Sequence, residues 1–306
     1  MTSKAPISVL VLTFNEERNI AACLDPIAGW ADDIVVVDSG STDRTLALCA
    51  ERGIPIVPHT FVDYCSQLRW AVAHVPWRHD WLLVLDTDHR ISAELKHEID
   101  RMLHNDSGAV HGFYNPHIRY FRNRRVRGQK ALTMQLIRRS RTQVDDSELV
   151  DFRFVIDGPT GVMSGAIHER NENEADIDTW IDKHQKYARR MAIEELLRLE
   201  GRVGWARGLT PRLFGSPDER AIWLKNRWYR LPLFLRPVLY FCYRYFFRLG
   251  IADGWNGLVF NVFHAFWFRL LVDIHISDYR QQLTQRTMSL DDLMALSGRG
   301  TAGQHG

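Results

Sequence analysis

Val35-Val36-Val37-Asp38-Ser39-Gly40-Ser41-Thr42-Asp43, followed later in the chain by Trp81-Leu82-Leu83-Val84-Leu85-Asp86-Thr87-Asp88, decides how the N-terminal part folds. Each segment joins an unbroken apolar run to acids at its carboxyl end. Such short runs suit strands covered on both faces, as in a parallel sheet. Working outward, Ile7 to Leu12 is another such run, and Ile20, Cys23, Leu24 and Ile27 recur at helical spacing between the first two. Asn15 stands where a helix N-cap belongs, and Pro26 is expected to kink or end that helix early. A second helix follows Ser41-Thr42 and stops at Gly53, a short strand runs from Ile54 to Val57, and a third helix carries Leu68, Ala71, Val72 and Val75 on one face. Ser92 caps a fourth helix with Leu95, Ile99 and Met102 inward. This alternation predicts an α/β fold with a Rossmann-like, mostly parallel sheet, whose ligand sites lie beyond the carboxyl ends of the strands.

The acids lie at those ends. Asp38 leaves its strand into a Gly- and Ser-bearing turn that opens a helix, where a carboxylate either grips a base or ribose or simply caps the helix. Asp86 and Asp88 flank a single residue. Two carboxylates so close repel unless a cation or hydrogen-bond donors compensate them, so they can share a divalent cation and a nucleotide.

With Leu12-Thr13-Phe14-Asn15-Glu16 at the end of the first strand, these segments resemble the family 2 glycosyltransferases of the GT-A fold. That family shows Thr-(Tyr/Phe)-Asn-Glu, then Val-Asp-x-Gly-Ser-x-Asp, then a hydrophobic strand ending in Asp-x-Asp, in this order. The resemblance runs from about residue 6 to about residue 170 and is nearest to bacterial enzymes that extend lipopolysaccharide cores or lipid-linked surface polysaccharides. Leu249-Gly250-Ile251-Ala252-Asp253-Gly254 and the aromatic helix after it add to it.

The resemblance implies an inverting, metal-dependent transfer of a sugar from a nucleotide sugar, a UDP-sugar, to a lipid-linked or lipopolysaccharide acceptor, with Mn²⁺ or Mg²⁺ as cofactor. It places Thr13, Phe14 and Glu16 along the nucleotide, Asp38 at the base, Asp86 at the ribose and metal-bound diphosphate, and Asp88 on the metal. Gln67 and Arg69 fall near the phosphates, Arg69 standing where the family has Asn. The family's general base corresponds to Glu169 in Ile167-His168-Glu169, with Asp157 and Asp151 as local rivals.

Charge and composition complete the expectations. With 306 residues, 45% hydrophobic and 25% charged, the chain is globular, and a net charge of +2 says nothing about partners. Cys23, Cys49, Cys65 and Cys242 lack the spacing of a zinc ribbon, redox pair or disulfide framework and suit a reducing cytosol. The N-terminal apolar run is too short for a signal-peptide core.

From Ser107 to Val144 the chain holds Arg119, Arg122, Arg124, Arg125, Arg127, Lys130, Arg138, Arg139 and Arg141 with no acid. That run is either a solvated face or a binder of phosphate on donor or acceptor. From Gly201 to Gly250, ten arginines and lysines stand against two acids, interleaved with aromatic residues, and Arg227, Arg230, Arg236 and Arg244 among them are expected to help hold an anionic membrane. Pro232, Pro237 and recurrent arginines interrupt any long apolar stretch, which predicts a region lying on an anionic membrane surface without crossing it. Leu258 to Phe268 is its apolar companion, or else a core helix.

The expected organisation is a catalytic domain over 1–200, a basic aromatic membrane-associating region over 201–279 and a weakly ordered tail over 280–306. The enzyme would sit at the cytoplasmic face of the inner membrane and bind no nucleic acid. Competing classes are a phosphotransferase using Asp-x-Asp, a dinucleotide oxidoreductase, and a nonenzymatic membrane or nucleic-acid binding module. The first wants Thr or Val where Arg90 stands, the second wants Gly-x-Gly-x-x-Gly after the first strand, and the third leaves the acids without purpose.

Overall fold

A computed structural model describes residues 4–128, 131–145, 152–205 and 208–297. The chain forms two compact units, the first reaching Arg125 and adding 131–145 and Arg153–Asp176, the second formed chiefly from Ile177 onward and including Val126–Gly128. Residues 177–200, which the expected catalytic domain over 1–200 includes, therefore fall in the second unit.

The first unit contains β1 (Ala5–Thr13), α1 (Ile20–Ala28), β2 (Ala31–Asp38), α2 (Thr45–Ala50), β3 (Ile56–Pro58), α3 (Tyr64–His74), β4 (Trp81–Asp86), β5 (His89–Ile91) and α4 (Ala93–His104). It continues through β6 (Gly112–Phe121), β7 (Arg124–Arg125), β8 (Ala131–Arg138), β9 (Thr142–Asp145), β10 (Arg153–Ile156), β11 (Thr160–Val162) and β12 (Ile167–Glu169). The main sheet runs β3-β2-β1-β4-β8-β6-β12-β5, and β9 and β10 form a separate pair. The first four strands are parallel, as the alternation requires. Beyond β4 the sheet is mixed, with β8 antiparallel to both β4 and β6 and β12 parallel to β6. The early rhythm covered only the part with helical crossovers; the sheet is mostly parallel as expected, with the antiparallel pairings confined to the strands beyond it.

Val9, Val11, Val36, Leu83 and Leu85 pack with Ile20, Leu24, Ile27, Leu95 and Ile99 in one core. Pro26 does not end α1: Leu24 and Ile27, fully buried on either side, carry the helix past it. Its N-cap is Asn19, not Asn15. Ser92 caps α4 through the Leu95 amide, as expected.

The second unit is helical: α5 (Ile177–Leu199), α6 (Pro217–Trp228), α7 (Leu235–Cys242), α8 (Gly254–Asn261), α9 (Phe268–Thr284) and α10 (Leu290–Leu296). Ala188, Ala192, Ile193, Leu196 and Leu197 of α5 pack on Phe268, Val272 and Ile276 of α9 and Leu293 of α10. Of the described residues beyond Arg280, α9 runs on to Thr284, and α10 is capped reciprocally by Ser289 and Asp292 with Leu293 fully buried. Gly250–Thr284 forms a 35-residue helix long and apolar enough to cross a membrane by length and composition, though 39% of its most apolar window is buried inside the protein.

Candidate active site

The β1–α1 and β2–α2 connections are stitched to each other. Asn15 lies in the left-handed region, with φ of 53°. Its amide donates to Ser41 Oγ and its Oδ1 accepts from the Thr42 amide, both at 2.8 Å. The Glu16 amide donates to Thr45 Oγ1 at 2.8 Å. Asp38 is buried and accepts from the Gly40 and Ser41 amides at 2.9 Å each and from Ser41 Oγ at 2.5 Å. Gly40, at φ of 96°, supplies a bend that a side chain resists. Asp38 thus shapes the turn it was expected to use for the base.

Asp86 ends β4, and its Oδ1 accepts from the Tyr64 hydroxyl at 2.5 Å. Tyr64 stays protonated: burial and then the neighbouring Asp86 charge raise its pKa well above the ordinary tyrosine value. The Asp86 amide donates to His89 Nδ1 at 2.9 Å. A ring nitrogen that accepts carries no proton, so the proton of His89 sits on Nε2. That Nε2 lies 3.8 Å from Asp86 Oδ2 and 3.7 Å from Asp88 Oδ1. Asp86, Asp88 and His89 offer atoms within 4.8 Å of one another, a spacing that could hold a metal ion. The tautomer removes the His89 lone pair from that set and leaves two carboxylates, an all-oxygen pair that fits a hard divalent cation.

His89 also joins the site to β12, where Glu169 is its cross-strand neighbour. Glu169 Oε2 accepts from Arg119 Nε at 2.9 Å and lies 3.8 Å from His117 Nδ1. Burial pushes the Glu169 carboxyl up, but Arg119 and His117 outweigh it and hold it well below the usual carboxylate range. His117 is buried, its ring meets His89 edge-on at 4.9 Å, and its Nε2 has no hydrogen-bond partner. Beyond Glu169, the Arg170 amide donates to the Asp88 carbonyl at 2.8 Å, and Asn171 Nδ2 lies 3.3 Å from Asp88 Oδ2.

Asp86, Asp88 and Glu169 therefore meet around His89. The other expected residues stand further back. Thr13 Oγ1 is buried without a hydrogen-bond partner, whereas Phe14 is 56% exposed. Glu16 Oε2 accepts from Asn19 at 2.7 Å and Asn173 at 3.0 Å. Gln67 is buried, donates to Ser39 Oγ at 3.1 Å and meets His59 Nδ1 at 2.6 Å; Arg69, two residues along α3, is exposed. Asp157 is exposed and paired with Arg141, and Asp151 lies outside the described residues, as do Lys130 and Arg207. The sequence reading missed Tyr64, His89, His117 and Asn171. Only His89, directly after Asp-x-Asp, carried a signal.

The basic run divides. Arg119 pairs with Glu169 and Arg138 with Asp106 at 2.6 Å, while Arg122, Arg124 and Arg125 are exposed.

Residues 8–154 match the family described as Glycosyl transferase family 2. An uncharacterized glycosyltransferase of Rickettsia bellii (strain RML369-C) is 33% identical over 94 residues, 31% of each chain. The lipopolysaccharide core biosynthesis glycosyltransferase LpsC of Rhizobium meliloti (strain 1021) is 28% identical over 178 residues, 53% of this chain and 61% of LpsC. The matches span about a third of the length of the Rickettsia relatives. Among solved structures, glucosyl-3-phosphoglycerate synthase from Mycobacterium tuberculosis in complex with Mn²⁺, UDP and glucosyl-3-phosphoglycerate is 21% identical with a TM-score of 0.30, covering 38% of this chain and 44% of that one.

Proposed function

We propose that this chain is a family 2 glycosyltransferase, a reading supported by the match over residues 8–154, and that it transfers a sugar, with inversion, from a nucleoside diphosphate sugar to a lipid-linked or lipopolysaccharide acceptor. The donor is a UDP-sugar, and the work is done at the cytoplasmic face of the inner membrane. One observation carries the reading: the Asp86-x-Asp88 pair and Glu169, far apart in sequence, converge on one ring, His89.

Asp88 and Asp86 would hold Mn²⁺ or Mg²⁺, which supplies positive charge to the departing diphosphate. Thr13, Phe14 and Glu16 lie along the nucleotide, Asp38 at its base and Gln67 and Arg69 near its phosphates, with Glu16, Asp38 and Gln67 also fixing the surrounding loops. Glu169 is the general base that takes the proton of the acceptor hydroxyl. A carboxylate held as strongly ionised as this one is a poor base, because efficient proton transfer wants a pKa near the working pH. The reading therefore includes a release: an anionic group on the acceptor draws Arg119 away and restores the proton affinity of Glu169.

A panel of nucleotide sugars, scored by Mn²⁺-dependent release of UDP or GDP with a lipid-linked acceptor, tests the activity. Glu169→Gln should suppress transfer by about 10²-fold or more while nucleotide affinity is preserved. Transfer unchanged in that variant would move the base to Asp157.

A further inference from the structure

We propose that the stretch from Phe234 to Trp255 is an insertion tip that seats the helical unit in an anionic lipid surface. This deepens the membrane part of the preceding reading. It replaces a broad basic region with a defined apolar element.

Phe247 is 78% exposed, Trp255 75% and Leu249 61%, and Phe234, Leu235, Val238, Leu239, Tyr243, Phe246 and Ile251 are exposed beside them. Phe234 and Leu249 both lie in the left-handed region, at φ of 66° and 60°. Glycine would relieve the strain at either place, yet the chain puts a large apolar side chain there and turns it to solvent.

Charge selects the occupant. From Arg220 to Val272 the chain has eight arginines and lysines and one acid, Asp253. Asp253 is only 8% exposed and is neutralised by Arg127, whose amide also donates to it at 2.6 Å. The tip thus shows apolar side chains, exposed Arg248 with Arg230 at its base, and no exposed anion. Its backbone bonds within itself, with Arg248 donating to the Tyr243 carbonyl at 3.0 Å and Ala252 to that of Leu249 at 3.0 Å, as entry into hydrocarbon requires. An apolar surface with only cations at its edge matches anionic lipid.

The same contacts argue against a transmembrane span by the helix Gly250–Thr284. Its second half is part of the core with α5, and its Asp273 is fully buried against Arg236. A span would carry that ion pair into the bilayer. Arg236 is itself fully buried between Glu195 and Asp273 and cannot meet lipid, contrary to the expectation that it helps hold the membrane.

Flotation of the full chain with vesicles of phosphatidylcholine, alone or with phosphatidylglycerol, tests the proposal. The chain should float with the anionic vesicles. The double variant Phe247→Ser/Trp255→Ser should lower the bound fraction about tenfold or more, with the melting temperature unchanged because both side chains are exposed. Arg230→Gln/Arg248→Gln should remove the preference for phosphatidylglycerol. Absence of flotation, or flotation untouched by the tip variant, overturns the proposal. So does a dimer in sedimentation that the tip variant dissociates, because the face would then join two copies. Mn²⁺-dependent UDP binding, measured on the same samples, reports separately on the catalytic reading.

Discussion

Each unit brings two carboxylates together, and the two units treat them in opposite ways. In the helical unit, Arg236 lies between Glu195 and Asp273, at 2.7 Å from one and 2.6 Å from the other, with all three side chains at 3% exposure or less. That group is closed: its carboxylates are compensated inside the protein by the shared guanidinium and, on Asp273, by the Phe234 amide. In the sheet unit, Asp86 keeps 36% of its side chain exposed and takes a hydrogen bond from a neutral phenol, and no lysine or arginine pairs with it among the described residues. A carboxylate held in place by a neutral donor keeps its charge for a ligand. Two neighbouring acids are thus a site or a scaffold according to what already compensates them, and the sequence does not show which.

The largest expected effect breaks the first side of this comparison. Asp88→Asn and Asp86→Asn should each cut metal-dependent turnover by about 10³-fold or more, since they remove charge from the ligand pair. Stability should barely change, because Asp86 is partly open. Full activity in either variant, or in excess chelator, would remove the metal from the reading. A large drop in melting temperature would show these acids to be scaffold as well.

The second expected effect breaks the other side. Arg236→Gln leaves two buried carboxylates without their cation, which costs about 3–5 kcal/mol. Urea denaturation should show the midpoint falling accordingly. A loss under about 1 kcal/mol would mean that the group is open to water and resembles the Asp86 pair after all.

How much of this was legible beforehand follows the same division. Runs such as Val35 to Val37 and Leu82 to Leu85 announce strands, because a buried parallel strand has few other compositions available. Acids at their ends announce a site. Tyr64 announces nothing, since its contact with Asp86 depends on how α3 lies on the sheet. Arg236 was misread because an arginine amid aromatic residues looks the same whether it meets lipid or two acids distant in sequence. Pro26 was over-read: local preference yields when burial on both sides, at Leu24 and Ile27, holds the helix.

A third experiment turns on Arg119, which makes Glu169 resemble the closed group more than the open one. Burial raises the pKa of Glu169 and Arg119, with His117, lowers it further than burial raises it. Removing the guanidinium in Arg119→Gln should therefore move that pKa upward. The base acts when ionised, so activity falls as pH drops through its pKa, and the acid limb of the pH–rate profile should shift to higher pH. An acid limb that stays in place would separate Glu169 from the proton transfer. A variant that keeps the profile but loses affinity for a phosphate-bearing acceptor would assign Arg119 to the acceptor alone.

The smallest effect sharpens the comparison at its finest point, the phenol on Asp86. Tyr64→Phe removes one hydroxyl and keeps the ring. Two consequences oppose each other: the freed Oδ1 becomes a better electron donor to a cation, while the carboxylate loses the bond that fixes its rotamer. Outer partners of metal ligands are typically worth about 10- to 100-fold in affinity, which puts the loss of orientation ahead, and the Asp86 amide on His89 Nδ1 gives the chain a second constraint that softens it. Mn²⁺ affinity, followed by electron paramagnetic resonance, should therefore weaken about tenfold, with the melting temperature little changed. The readout distinguishes orientation from folding, because a merely structural hydroxyl would move stability and leave the metal alone. Affinity unchanged or tightened would mean that the carboxylate needs no pinning, and that the neutral donor is an accident of packing around an acid already placed by β4.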